Sequence, residues 1–415
     1  MLNKLRFILP LLFLAPVSTF AQDFSYSNVG VTSATFSLGN HSVRKDGSLT
    51  AIYSPTWHKD STLQNPIAYT SGIAPTVAAQ LTIDCPAVPD SVWIRGSGSD
   101  SIDFAAKQLS VAPSAGTVHT INYPATTGSH VFAAAIVRFF KPYTINWEIS
   151  FDNGITWKAA GATNNTLYVT RSAPQPETSN FKYWHTVYDL SCRNAQYKSL
   201  DTAIISNIWN EFIDHVVLNY KDDSLFYYKI MNSPNVSLYT LLKYRDAECY
   251  TFAQLFLAAI KIQGVVRTNN YVYITPMSNI VCGYTVNRFI VKDWAFGAPS
   301  ASGFCSAFPY KNTYTTLLPP PYNAYNFITA DVTDQAGIPG SCTVNPSSYF
   351  NNHQIVKLDG LYYDACYGVT FPTLVSIKTA AFSGWSFRYT ASGTTNCYFT
   401  NDLSQSDLVE TITTY

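Results

Sequence analysis

The stretch HQIVKLDGLYYDAC, residues 353–366, constrains this chain most, because it admits one hairpin in one register. A two-residue type I′ turn needs positive φ at both central positions, and Asp359-Gly360 is a pair that supplies it. With that turn, Leu358 pairs with Leu361, Val356 with Tyr363 and Gln354 with Ala365. This face is mostly apolar and belongs against a core. The other face carries His353, Ile355 and Lys357 opposite Cys366, Asp364 and Tyr362. His353 and Asp364 are then diagonal neighbours, with backbones roughly 7–8 Å apart, a gap that their side chains can bridge. A carboxylate so placed can accept the Nδ1 hydrogen of the imidazole and leave Nε2 to take a proton. Alone, such a histidine is most often a satisfied core or surface residue, and such an aspartate a strand-end residue.

A base needs a nucleophile, and DAECYTFAQLFLAAIKIQG, residues 246–264, offers one. Phe252, Leu255, Phe256, Ala259 and Ile260 follow the helical spacing i, i+3, i+4, i+7, i+8. Gly264 closes the helix. Cys249 falls in the first turn and has three readings: a buried spare thiol, half of a disulfide, or a nucleophile. A helix N-terminus and a neighbouring imidazolium both favour a thiolate. First-turn N–H groups can also stabilise an oxyanion. Glu248 works against activation, since an adjacent carboxylate disfavours a second negative charge. Asp246 is placed to be the helix N-cap and to take the Cys249 N–H. Cys366 reads as a small buried residue, as the partner of another cysteine, or as the partner of Cys249 in a silencing disulfide.

The first 22 residues, MLNKLRFILPLLFLAPVSTFAQ, have the layout of a secretory signal peptide, 1–21, cleaved after Ala21. Its apolar run is too short for a stable membrane anchor. No later segment reads as transmembrane, so the chain is expected to be secreted, periplasmic or at the cell surface, and not an integral membrane protein. Charged residues are only 13%, and Lys plus Arg equals Asp plus Glu at 26 each, which leaves no basic field for nucleic acid. Eight cysteines in an exported chain make disulfides plausible. None sits in a C-x-x-C pair and the histidines do not cluster, so neither metal nor cofactor is implied.

From residue 22 to 171 the pattern is short alternating runs between turns: SVWIRGS, GTVHTINYP, YTINWEISFDNGITW and TLYVTRS. This predicts an all-β sandwich, immunoglobulin-like in style. Within it, Ser150 to Trp157 has the form of an Asp-box hairpin and reads as a structural turn. SAPQPETSN, 172–180, has linker composition. Residues 181–415 form the second domain. LDTAIISNIWNEFIDHVVLNY and SLYTLLKY are helical in spacing, and VVRTNNYVYITP is a strand. Residues 275–350, rich in Pro, Tyr, Asn and Ser, are expected to be an irregular insertion. Strands are expected from there to the β-rich tail ending at Tyr415. His185 and His215 look like packing or surface residues. Trp209 and Tyr239 read as packing aromatics.

The segment ECYTFAQLFLAAIKIQGVVRTNNYVYI resembles the cysteine-helix motif of the transglutaminase-like superfamily, where a Cys-x-x-Phe-Ala helix leads through glycine into a strand. FNNHQIVKLDGLYYDACYG looks like that superfamily's His and Asp strands. The resemblance covers about residues 195–370. It implies an α+β papain-like (transglutaminase-like) domain after the sandwich, with Cys249 as nucleophile, His353 as general base and Asp364 as its partner. Two function classes follow. One is an exported cysteine-dependent amide or peptide hydrolase or acyltransferase working through a thioester, on a peptide or protein substrate such as cell-wall peptide. The other is a non-catalytic cell-surface binding protein that keeps the scaffold.

Overall fold

The computed structural model describes residues 25–414 except 38, 62–64, 88, 113, 180, 228–236, 282–283, 287, 292–348, 351, 392–393 and 401–402. The leader lies outside the described residues. The molecule is β-rich and built from several sheets, with five α-helices among the described residues: α1 (His185–Asn194), α2 (Asp201–Ile213), α3 (Leu238–Tyr244), α4 (Cys249–Ile262) and α5 (Leu374–Ala381). No helix among the described residues is long and apolar enough to cross a membrane.

The alternating runs of the first 170 residues form two sheets around one core. The four-stranded sheet runs Val118–Thr127, Thr76–Asp84, Asn28–Ser37, Thr56–His58. The six-stranded sheet runs Asn40–His41, Ile67–Thr70, Lys158–Thr170, Arg138–Ser150, Ser91–Gly98, Asp103–Ser110. Phe36, Leu81 and Ile121 from the first meet Ile94, Ile145, Trp147 and Leu167 from the second, all buried. One pairing is parallel, between Lys158–Thr170 and Ile67–Thr70. The Asp-box stretch is a tight turn. Asn153 and Gly154 have positive φ, and Asp152 accepts from the Thr156 N–H at 2.8 Å and from Ser150 Oγ at 2.7 Å.

The second half is organised by α4. Every residue of that helix except Tyr250 is buried, so it is wrapped on all sides rather than on one apolar stripe. It lies against an antiparallel sheet with strand order Val369–Phe371, Leu361–Asp364, His353–Leu358, Asn269–Pro276, Leu408–Thr414. Tyr250 packs on Tyr271, and Phe256 and Trp209 pack on Tyr363, with ring centroids 5.0–5.3 Å apart. The hairpin register is the one read from the sequence: Leu358 opposite Leu361 and Val356 opposite Tyr363. Asp359 and Gly360 have φ of 49° and 86°.

Several elements differ from expectation. Helix α1 was not legible, and α2 stops at Ile213, leaving Val216 outside it and exposed. The tail is not strands throughout, because α5 interrupts it. Thr373 and Ser376 form a capping box at its start, in which Ser stands where Glu or Gln is usual. The described ends of the 275–350 stretch are short strands, Ile280–Val281, Tyr284–Thr285, Arg288–Val291 and Tyr349–Phe350, while 292–348 fall outside the described residues.

Residues 172–175 are not a loose tether. Ser172 Oγ donates to the Gln263 carbonyl at 2.9 Å, and the Gln175 N–H donates to the Lys261 carbonyl at 3.0 Å. The segment thus adds donors at the end of α4, where the Lys261 carbonyl also takes the Gly264 N–H at 3.0 Å. Gly264 makes this approach possible. Its φ is +68°, and a Cβ there would overlap Ser172 Oγ and the Ala173 carbonyl. Gly264→Ala should therefore cost about 2 kcal/mol or more, from the left-handed backbone plus the overlap. Calorimetry should show the melting temperature falling by several degrees. An unchanged melt would mean that 172–175 does not lie against the helix end.

Candidate active site

Cys249 is the first residue of α4. The helix is capped by Glu248, whose side chain makes no capping hydrogen bond. Asp246, expected as the cap, instead lies in the two-residue strand Asp246–Ala247 paired with Phe226–Tyr227. Two residues then remain between it and the helix, because the short strand pins its backbone. The N–H groups of a first helical turn have no intrahelical acceptor and point outward.

His353 is the first residue of its strand and Asp364 the last of the next, so both stand at the end of the hairpin away from the turn. His353 Nε2 and Asp364 Oδ2 are 2.7 Å apart. The nitrogen differs from the one expected. Nδ1 lies close to the histidine's own backbone, whereas Nε2 reaches further across to the neighbouring strand, and it is Nε2 that the short aspartate meets. The Cys249 side chain lies close enough to the same imidazole to help hold its proton. With Nε2 on Asp364, Nδ1 is the nitrogen available to the sulfur. The three residues singled out in the sequence are thus brought together, and all are buried, at 6%, 5% and 4% exposure for Cys249, His353 and Asp364.

Burial alone would push the His353 imidazole down. The charge and hydrogen bond of Asp364, joined by those of Cys249, outweigh it and hold the imidazole up at about 10. Asp364 is itself held from behind. Its Oδ1 accepts from the Cys366 and Tyr367 N–H groups at 3.0 and 3.3 Å.

Cys366 is not a strand residue opposite His353, as the register suggested. The chain turns after Asp364, and Cys366 sits in that turn with its N–H on the carboxylate. Its buried thiol is pushed well up, first by desolvation and then by the charges of Asp364, Cys249 and Glu248. Cys85, Cys192, Cys249 and Cys366 are all free thiols. Trp209 is packed between Phe212, Phe256 and Tyr363, and is a core aromatic.

Two further residues border the site without having been singled out. The Tyr273 phenol is raised by burial and then by the neighbouring Cys249 and Glu248. The Tyr367 ring meets His353 edge-on, with centroids 5.9 Å apart. Strand alternation in YVYI shows which residues share a face with Tyr273 but not that the thiol lies beside it. Among the described residues, no three His, Cys, Asp or Glu side chains are grouped as a metal would require. Neither a scan against protein-family models nor a search of curated proteins finds a match for this chain.

The raised imidazole has a consequence for stability. In the unfolded chain His353 titrates near 6.5. Its protonated form therefore stabilises the fold fully below that pH, and the contribution is lost as pH rises through about 10. Asp364→Asn removes the main charge that raises it. Urea denaturation between pH 6.5 and 10 should show the gap between wild type and Asp364→Asn narrowing as pH rises. A constant gap would contradict the charged pair.

Proposed function

We propose that this chain is an exported cysteine-dependent hydrolase of peptide or amide bonds, with a papain-like, transglutaminase-like α+β domain following an immunoglobulin-like sandwich. The observation that carries the reading is the bonded pair of His353 and Asp364 beside Cys249, which stands at the start of a buried helix. The chain order Cys, His, Asp and the packing of the cysteine helix on the antiparallel sheet that holds the other two support the same reading.

The reaction follows from the charges. The Cys249 thiolate attacks the carbonyl carbon and the carbonyl oxygen becomes an oxyanion, which a free N–H of the first turn of α4 can stabilise. The C–N bond breaks, and the His353 imidazolium gives its proton to the departing nitrogen, which leaves as an amine. A thioester remains on Cys249. Water then attacks it, the imidazole takes the proton, the C–S bond breaks, and a carboxylic acid leaves with the thiolate restored. Asp364 keeps the ring oriented and balances its charge throughout. Transfer of the acyl group to an amine in place of water requires that water be kept from the thioester. Hydrolysis makes no such demand and is the primary reading.

A thiol-reactive probe tests this without a known substrate. Iodoacetamide should alkylate Cys249 in the folded protein at pH 6–7. His353→Ala should slow that reaction on the order of tenfold or more, because the thiolate loses its partner charge. Peptide mapping reads the site. Equal rates in the two proteins would leave a scaffold without this chemistry and favour a binding protein.

A further inference from the structure

Asp364 can orient His353 only if its own carboxylate is fixed, and what fixes it is the turn 364–368. The N–H groups of Cys366 and Tyr367 bind Oδ1, and those of Tyr367 and Gly368 bind the Asp364 carbonyl at 3.2 and 2.9 Å. The turn is in turn seated on the end of α2. Gly368 has φ +64°, and a Cβ there would overlap the Phe212 carbonyl and lie 2.9 Å from Ile213 Cα. Just past the helix, His215 Nε2 lies 2.8 Å from the Tyr367 carbonyl oxygen. A carbonyl only accepts, so Nε2 carries the hydrogen.

His215 occupies its place at some cost. Its φ is 63°, the left-handed region, where a side chain is strained and glycine is the usual helix stop. Its N–H already closes the helix end on the Phe212 carbonyl at 3.2 Å, a bond that glycine would make equally well. What glycine would not supply is the imidazole, and that imidazole bridges 152 positions of sequence to the Tyr367 carbonyl. Tyr367 in turn gives its N–H to Asp364 and sets its ring at 75° to that of His353.

We infer that His215 is a positioning residue, which holds the 364–368 turn through the Tyr367 carbonyl so that Asp364 faces the His353 imidazole. The inference rests on the proposed role of His353 and Asp364. It explains why a histidine, rather than a glycine, ends α2.

His215→Gly removes the imidazole and eases the backbone, so the chain should fold, which thermal unfolding checks. His215→Asn tolerates the same backbone and keeps an N–H donor on a shorter arm. Two readouts are taken on the full chain. The first is the titration of His353 by NMR with 13C-labelled histidine, its signal being the one of seven that His353→Gln removes. The second is the rate of Cys249 alkylation against pH. In His215→Gly the His353 inflection should move down in pH, and alkylation at pH 7 should slow about fivefold, the equivalent of one net hydrogen bond. His215→Asn should lie between it and wild type. If the glycine variant does not fold, the asparagine variant decides by the same criterion. A wild-type inflection in a folded variant, with or without a lower melting temperature, overturns the inference and leaves His215 a helix stop. An inflection that moves while Cys249 shows no His353-dependent reactivity upholds the positioning role and defeats the hydrolase reading instead.

Discussion

The buried hydrogen bond between His353 and Asp364 is the contact on which the end of the central sheet depends. Each partner is almost fully removed from water, and an unpaired charge there would cost several kcal/mol. The pair is tolerable because both oxygens of the carboxylate are bonded. Asp364 takes the imidazole on one oxygen and two backbone N–H groups on the other. The turn Asp359-Gly360, at the opposite end of the hairpin, sets the register that makes this possible. A slip of one residue would send both side chains to the other face. The polar pair and the apolar contacts of Val356 and Tyr363 are therefore specified by the same two turn residues.

A second buried histidine shows how far environment decides chemistry. His185, at the start of α1, bonds the Tyr168 hydroxyl at 2.8 Å and stacks on Tyr220 with centroids 3.8 Å apart. Burial, aided by the positive charges of Lys141, Lys45 and Lys221, pushes it down to about 3. His353 is as deeply buried, yet goes the other way because a carboxylate touches its ring. His185 is thus a neutral strut that ties the six-stranded sheet to α1, while His353 holds a proton. Phe139, Tyr168 and Tyr188, stacked in series, continue that tie between the sheet and the helices.

These contrasts also mark what a sequence can disclose. The hairpin register, helices α3 and α4, and the identities of Cys249, His353 and Asp364 rest on local signals: a turn dipeptide, a helical period and a cysteine at a helix start. Helix α1 gave no such signal. Its first eight residues are all buried and include His185, Thr186, Asp189 and Ser191, so polar side chains stand where an apolar stripe would be sought. Their partners lie far away in sequence, as with Thr186 on Asp46 and Ser191 on the Ala259 carbonyl. The choice of Nε2 over Nδ1, the turn that removes Cys366 from its strand, and the seat of Gly368 on α2 are likewise tertiary facts. No local rule reports them, because each is settled by a surface that the segment meets only after folding.

Helix α4 joins these observations. Its fourteen residues span about 21 Å at 1.5 Å per residue, with the thiol at one end and the 172–175 segment docked on the other. Nearly every side chain between is buried, and Gln254 and Gln263 are held by hydrogen bonds to Leu238, Arg171 and Ser191. A helix so enclosed cannot slide along its axis or rotate without breaking several of these contacts at once. The position of Cys249 against His353 is therefore set from both ends. The hairpin turn and the 364–368 turn place the imidazole. The close approach at Gly264 helps fix the helix that places the sulfur. The segment that joins the sandwich to the helices then acts as a stop behind Cys249, as well as a connection.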